Sequence, residues 1–236
     1  FRARRRSLMA AVSLSLSGLS AAETFAQAGK ECSGPATAAA AAAALAGKDT
    51  FFGNRICPFA QRVHWTIAER NATDAYEYAH IDLTIGGNTM PDWYKAEVNP
   101  SAVVPCILYG GKPIYESLTC ALFVDERHRG SGEMAPLVPT DPFEAAIVRS
   151  AVDLVGTFTG PMYGTLKNRD PAKAAELKAA LLSKVGRLEA LYEANQLGGG
   201  PYLLGERMSY AEIAFAPLLF RFVASLSHFR GFSPLE

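Results

Sequence analysis

The run Cys57-Pro58-Phe59-Ala60-Gln61-Arg62 sets one thiol where a short apolar strand gives way to a helix. Pro58 suits the first helical position, because its missing N–H would be unpaired there anyway, so Cys57 falls at the N-cap. Its sulfur then faces unpaired N–H groups and the positive end of the helix dipole, and both favour thiolate over thiol. The spacing predicts a reactive, low-pKa nucleophile; the alternative is a buried structural cysteine that happens to precede a proline. Ala60 stands where a Cys-x-x-Cys pair would carry its second thiol. Any mixed disulfide on Cys57 must therefore be resolved by a thiol from solution or by another cysteine of the chain. Cys32, Cys106 and Cys120 show no paired short spacing of the zinc-ribbon kind, and only four histidines (His64, His80, His128, His228) accompany them, so no metal is expected. Four cysteines in 236 residues are too few for a disulfide-built scaffold and fit a reducing compartment.

The elements around this thiol follow from periodicity. Asp49 to Ile56 reads as a short strand despite Gly53, and Pro58 to Glu69 as an amphipathic helix with Val63, Ile67 and Ala68 available for a core. Tyr76 to Leu83 is a second strand. A Gly-containing polar stretch leads to a short helix around Asp92 to Val98, then Val103 to Tyr109 and Pro113 to Tyr115 form strands joined at Gly110-Gly111, and Glu116 to Arg129 is helical. The order βαβ, then ββα, predicts a small α/β unit with a mixed sheet. Beyond Gly130 the pattern is helical only. A connector with Pro136, Pro139 and Pro142 precedes helices near Phe143 to Leu166, Pro171 to Gln196 and Ser209 to Leu226. Leu177, Leu181, Leu182, Val185, Leu188 and Leu191 recur at three- and four-residue spacing, which marks one buried face. Ser209-Tyr210-Ala211-Glu212 reads as a capping box. Phe229, Phe232 and Leu235 follow in a Gly/Pro-broken tail, and three helices leave apolar flanks bare, so further C-terminal sequence or a covering partner is expected.

Composition limits the partners. The chain is 49% hydrophobic, with 23 basic against 23 acidic residues and a pI near 7.1, so it lacks the basic excess of a nucleic-acid surface. The longest apolar stretches are broken by charge, Pro or Gly, and no membrane span is expected. Arg2, Arg4, Arg5 and Arg6 precede a Ser- and Ala-rich segment from Leu8 to Ala22, with Glu23 and Glu31 the only acids before Asp49. This opening resembles an organellar transit peptide, for a plastid or mitochondrion; a secretory signal is the runner-up, and a non-functional leader would leave the protein cytoplasmic. Ala36 to Ala46 reads as a spacer.

A thioredoxin-like unit followed by an all-helical domain, with Cys-Pro-Phe-Ala opening the first helix, resembles the glutathione transferase superfamily over about Asp49 to Phe232. The cysteine classes are the nearest, namely lambda and omega together with the dehydroascorbate reductases. The chain resembles the plant lambda class most and omega second; lambda is matched through Cys57 to Val63, Pro91-Asp92-Trp93-Tyr94-Lys95, Met162 to Lys167 and Asp170-Pro171. Omega is matched through Tyr115-Glu116-Ser117 and Asp141-Pro142-Phe143-Glu144. The implied organisation is a leader and spacer over 1–47, a thioredoxin-like glutathione-binding domain over 48–129, a linker over 130–142 and an incomplete helical domain over 143–236. The resemblance implies glutathione as co-substrate and Cys57 as catalytic residue. Val104-Pro105 would form a cis-proline turn whose first residue offers N–H and C=O to the cysteinyl part of glutathione. Glu116 and Ser117 would hold the γ-glutamyl amino and carboxylate groups at a helix start, and Phe59 would add backbone contacts. Met90 stands where the omega and lambda patterns often carry a basic residue toward the glycyl carboxylate; Lys95 and Lys112 are candidates to compensate.

Two functions follow from this resemblance. One is a monothiol glutathione-dependent transferase that reduces mixed disulfides, or small oxidised molecules as a dehydroascorbate reductase does, with weak conjugation. Its partners are glutathione and a small or protein thiol or disulfide, with neither nucleic acid nor membrane, in a monomer or homodimer. The other is a carrier of aromatic, flavonoid-like ligands with glutathione as co-ligand, in a cleft that Tyr163, Phe158, Phe215 and Phe220 would line, although aromatic residues at helical spacing are more often core.

Overall fold

Phe51 and Phe52 alternate to opposite faces of a five-residue strand, and both are fully buried, so this strand is covered on two sides and sits inside a sheet. The computed structural model describes residues 30–31, 49–81, 83, 90–129, 135–195 and 199–235. They divide into two compact units, with the break between Met134 and Ala135.

The first unit contains β1 (Lys30–Glu31), β2 (Asp49–Gly53), α1 (Pro58–Glu69), β3 (Tyr76–His80), α2 (Asp92–Glu97), β4 (Cys106–Tyr109), β5 (Lys112–Tyr115) and α3 (Ser117–Arg127). The sheet order is β1-β3-β2-β4-β5. β2 runs parallel to β3, with Phe51 opposite Tyr78, and antiparallel to β4, with Phe52 opposite Cys106. This is the mixed sheet and thioredoxin-like arrangement expected from sequence. Gly53 is tolerated in the strand for a packing reason: a Cβ there would stand 2.9 Å from the Phe51 ring and 3.1 Å from that of Tyr78. Lys30 and Glu31 pair in parallel with Ala79 and His80, so part of the stretch expected as leader and spacer adds an edge strand; the rest of that stretch lies outside the described residues.

Helices α1 and α3 pack together and are joined by a buried ion pair, Arg70 Nη2 to Asp125 Oδ1 at 2.6 Å, with side chains 3% and 0% exposed. Val63 and Ile67 of α1 enter the core as expected, while Ala68 is half-buried. The strands are shorter than expected. β2 stops at Gly53 rather than Ile56, because the Asn54 side chain takes over the hydrogen bonding: Oδ1 accepts from Ile56 N at 2.9 Å and Nδ2 donates to Ile81 O at 2.7 Å. β3 ends at His80, and β4 begins at Cys106 rather than Val103.

The second unit holds α4 (Pro142–Lys167), α5 (Ala174–Asn195) and α6 (Tyr210–Arg230). Asp141 caps α4 by accepting from Glu144 N at 2.9 Å. On α5, Leu181, Val185, Leu188 and Tyr192 are buried, with Leu177, Leu182 and Leu191 at the edges of that face. The capping box at Ser209 and Glu212 is present. Glu212 is fully buried and accepts from Tyr192 Oη at 2.5 Å, Leu203 N at 2.9 Å and Ser209 N at 2.8 Å, which satisfies a charge that would otherwise be costly to bury. Helix α6 is long and apolar enough to cross a membrane by length and composition, against the sequence expectation, but 67% of its most apolar window is buried inside the fold. Phe158 and Phe215 are core residues at 1% and 0% exposure, in line with the reading of helically spaced aromatics as core rather than as walls of a cleft; Tyr163 packs edge-on to Phe222, and Phe220 is exposed.

Candidate active site

Three short hydrogen-bonded turns shape the first unit around Cys57. Asn54 folds the chain out of β2, and Cys57 N donates to Asn54 O at 3.2 Å. Cys57 then takes the N-cap of α1 with extended backbone, φ −78° and ψ 117°, Pro58 opens the helix, and Gln61 N donates to Cys57 O at 3.1 Å. The thiol is therefore at the positive end of a twelve-residue helix, as the sequence predicts.

The second turn carries Val104 and Pro105. Their peptide bond is cis, both residues are buried, and the Cys57 thiol donates toward Val104 O at 3.9 Å. Two residues shape this loop: Tyr94, from the Pro91 to Lys95 run that resembles the lambda class, and Asn99, which no motif announces. Tyr94 Oη and Asn99 Nδ2 both donate to Val103 O at 2.8 Å, and Asn99 Oδ1 accepts from Ser101 N at 3.0 Å. Burial holds the Tyr94 phenol far above its ordinary pKa, so it stays a donor.

The third turn starts α3. Glu116 is exposed, at φ +73°, a left-handed conformation that non-glycine residues rarely adopt and that clusters at functional sites. Ser117 is buried at the first helical position, within the turn whose backbone N–H groups point out of the helix at its positive end. Arg62, a residue without an expected role, links this turn to α1: its Nη1 donates to Ser117 Oγ at 3.0 Å, and its guanidinium stands 5.2 Å from the Phe59 ring centroid. Phe59 is half-buried against the core.

The structure thus joins Cys57 to Val104 directly and Phe59 to Ser117 through Arg62. Met90 packs half-buried on the hydrophobic core, while Lys95 and Lys112 are exposed on α2 and at the start of β5. Cys106 and Cys120 are fully buried, and burial pushes both thiols up to about 12. Cys120 also donates to Ile114 O at 3.2 Å. His64, on the same helix as Cys57, packs at 4.6 Å on Phe51 and 4.9 Å on Tyr78; burial first, then Arg55, lowers it to about 3 and keeps it neutral. Among the described residues, no group of three or more His, Cys, Asp or Glu gathers as metal ligands would.

A thioredoxin-like unit with a helix-capping cysteine beside a cis-proline, followed in sequence by an all-helical unit, defines a cysteine-type glutathione transferase. The profile for "Glutathione S-transferase, N-terminal domain" matches residues 56–127 and that for "Glutathione S-transferase, C-terminal domain" matches residues 148–235. The chain belongs to the glutathione S-transferase family. It is 32% identical over 181 residues to Glutathione S-transferase L3 of Arabidopsis thaliana, covering 77% of this chain and 69% of the relative. It is 30% identical over 176 residues to the probable glutathione S-transferase DHAR1, cytosolic, of Oryza sativa subsp. japonica, covering 74% and 71%. It spans 66% of the length of rice Protein IN2-1 homolog A, at 29% identity over 75% of this chain. Among solved structures, glutathione transferase Omega 3C from Trametes versicolor matches with a TM-score of 0.68 at 26% identity, over 90% of this chain and 83% of that one.

Proposed function

We propose that this protein is a glutathione-dependent thiol transferase that reduces glutathionyl mixed disulfides, or small oxidised substrates, through Cys57. The observation that carries the reading is the Cys57 thiol at the N-cap of α1, 3.9 Å from the carbonyl before cis Pro105. A helix N-terminus favours thiolate, which is the attacking form. Relatives named as glutathione S-transferases of the L and DHAR groups support it.

In the first step the Cys57 thiolate attacks the glutathionyl sulfur of R–S–S–G. A Cys57–S–S–G bond forms, the substrate S–S bond breaks, and R–S⁻ leaves and takes a proton. Position 60 is alanine, so no second thiol waits one turn along the helix. A glutathione thiolate then attacks the Cys57 sulfur's partner, glutathione disulfide departs and Cys57 returns as thiolate. Phe59, Val104, Pro105, Glu116 and Ser117 hold the tripeptide: main chain at Val104 for the cysteinyl part, the α3 N-terminus and Ser117 for the γ-glutamyl carboxylate. Conjugation is weak, because Cys57 stands where a conjugating transferase needs a Ser or Tyr hydroxyl to hydrogen-bond and keep a free glutathione thiolate, and a cysteine thiolate offers no such donor.

Turnover of the glutathionyl disulfide of 2-mercaptoethanol, with glutathione disulfide formation followed through NADPH and glutathione reductase, tests this. Catalysis that requires Cys57 supports the reading. Binding of glutathione and aromatic ligands without turnover would favour the carrier alternative, which the burial of Phe158 and Phe215 leaves with fewer walls.

A further inference from the structure

Arg62 is 5% exposed, yet it stands on the same helix as Cys57 and reaches a residue 55 positions away. One guanidinium thus touches Phe59, two residues after the thiol, and Ser117, the first residue of α3. Chemistry fixes the direction of the Arg62 to Ser117 bond. A guanidinium has donors only, so Ser117 Oγ is the acceptor. The hydroxyl carries a single proton, and with a lone pair engaged by Arg62 that proton is directed to a different acceptor. Around it lie the backbone N–H groups of the α3 N-terminus, where the helix dipole is positive.

We propose that Arg62 is a positioning residue for carboxylate recognition: it commits the Ser117 hydroxyl to donate, and places a buried positive charge directly behind the site for the γ-glutamyl α-carboxylate. This rests on the glutathione reading of Ser117 given above. It makes the α-carboxylate, rather than the thiol or the glycyl end, the group whose recognition depends on Arg62. A lysine in its place keeps the charge but loses the planar fork that fits between the Phe59 ring and the Ser117 oxygen.

The test measures affinity by titration calorimetry in the full chain carrying Cys57→Ser, so that no disulfide forms. Two ligands are compared: glutathione, and 4-aminobutanoyl-cysteinyl-glycine, which lacks only the α-carboxylate. Arg62→Met is expected to weaken glutathione about tenfold or more while leaving the analogue within about twofold, as for loss of a charge-assisted contact. Arg62→Lys is expected to lie between, with a loss of about threefold confined to glutathione. Combined with Ser117→Ala, Arg62→Met adds little further loss, because both act on one contact. A purely structural role would lower both affinities together, and that result, or an unchanged glutathione affinity in either Arg62 variant, overturns the proposal. If Arg62→Met fails to fold by near-ultraviolet circular dichroism, the selectivity of Arg62→Lys decides. If Ser117→Ala changes neither ligand and the parent binds both equally, the glutathione reading of Ser117 fails instead.

Discussion

The Cys57 sulfur lies 3.9 Å from the carbonyl oxygen of Val104, so the head of α1 and the peptide before cis Pro105 form one local site. Cys57→Ser is expected to lower thiol transfer by at least about a thousandfold, the scale of losing an essential nucleophile. Affinity for glutathione should stay within about threefold, since main-chain and Ser117 contacts are retained. Mixed-disulfide turnover and calorimetry on the same preparation check both. Full activity in Cys57→Ser would reassign the nucleophile.

The other two described cysteines should be silent. Burial pushes the Cys106 and Cys120 thiols up to about 12, so neither yields thiolate near neutral pH. Brief iodoacetamide treatment of the native protein at pH 7.5, followed by peptide mass mapping, should label Cys57 and leave Cys106 and Cys120 unmodified until urea is added. Cys106→Ser and Cys120→Ser should each cost about 1–3 kcal/mol of stability, because a hydroxyl replaces a sulfur in an apolar site, with little change in rate.

These expectations separate what local sequence encodes from what it does not. The bounds of α1 were legible because Pro58 announces a first helical position and Val63 and Ile67 mark a buried face. Strand ends were not. Asn54 and Asn99 cut β2 and β4 short by hydrogen bonding to backbone outside the ladder, an option no periodicity reveals. Arg62, though part of the run that opens α1, drew no role for a related reason. A charged residue on an amphipathic helix reads as solvent-facing, and its partner Ser117 lies 55 residues on, so only the fold brings the two together. Cys57, Val104 and Ser117 stood out because each sits beside a proline or at a helix start, where chemistry and chain geometry coincide.

The Arg70 and Asp125 pair is the most exacting contact between α1 and α3. Both side chains are buried, at 3% and 0% exposure, and Arg129 Nη2 stands farther from Asp125, at 3.8 Å, so Arg70→Met alone or Asp125→Leu alone breaks the short contact of the pair and should cost about 3–5 kcal/mol. The double substitution, with apolar groups on both sides, should recover most of that loss. Urea unfolding of the three variants measures the difference. Equal losses in single and double variants would show that packing, not charge, dominates there.

Acid should destabilise the first unit through His64. Its folded pKa is lowered to about 3 from 6.5, first by burial and then by Arg55. Between those values the unfolded chain binds a proton that the folded chain excludes. Stability from this group is therefore complete above pH 6.5 and is lost as pH falls, with a limiting slope of about 1.4 kcal/mol per pH unit. His64→Gln removes the titration, so its urea midpoint should vary less between pH 4.5 and 6.5 than that of the parent. Parallel profiles for the two proteins would assign the acid sensitivity elsewhere.

Ala102 gives a prediction of opposite sign. It holds φ +51° in the loop that delivers Val103 and Val104 to the site, and its N–H donates to Asn99 O at 2.8 Å. A left-handed alanine costs about 1–2 kcal/mol through the clash of its Cβ with the following carbonyl. Glycine has no such clash, but its freer unfolded chain returns about 0.5–1 kcal/mol of that gain. Ala102→Gly should therefore stabilise the protein by up to about 1.5 kcal/mol, the difference of those two terms. Ala102→Val should lose more than about 1 kcal/mol, because a β-branched side chain tolerates positive φ least. Both shifts are read as changes in urea midpoint at constant m-value, which isolates stability from altered compactness. A destabilised Ala102→Gly would mean that the alanine methyl makes a packing contact in this loop worth more than the strain it carries.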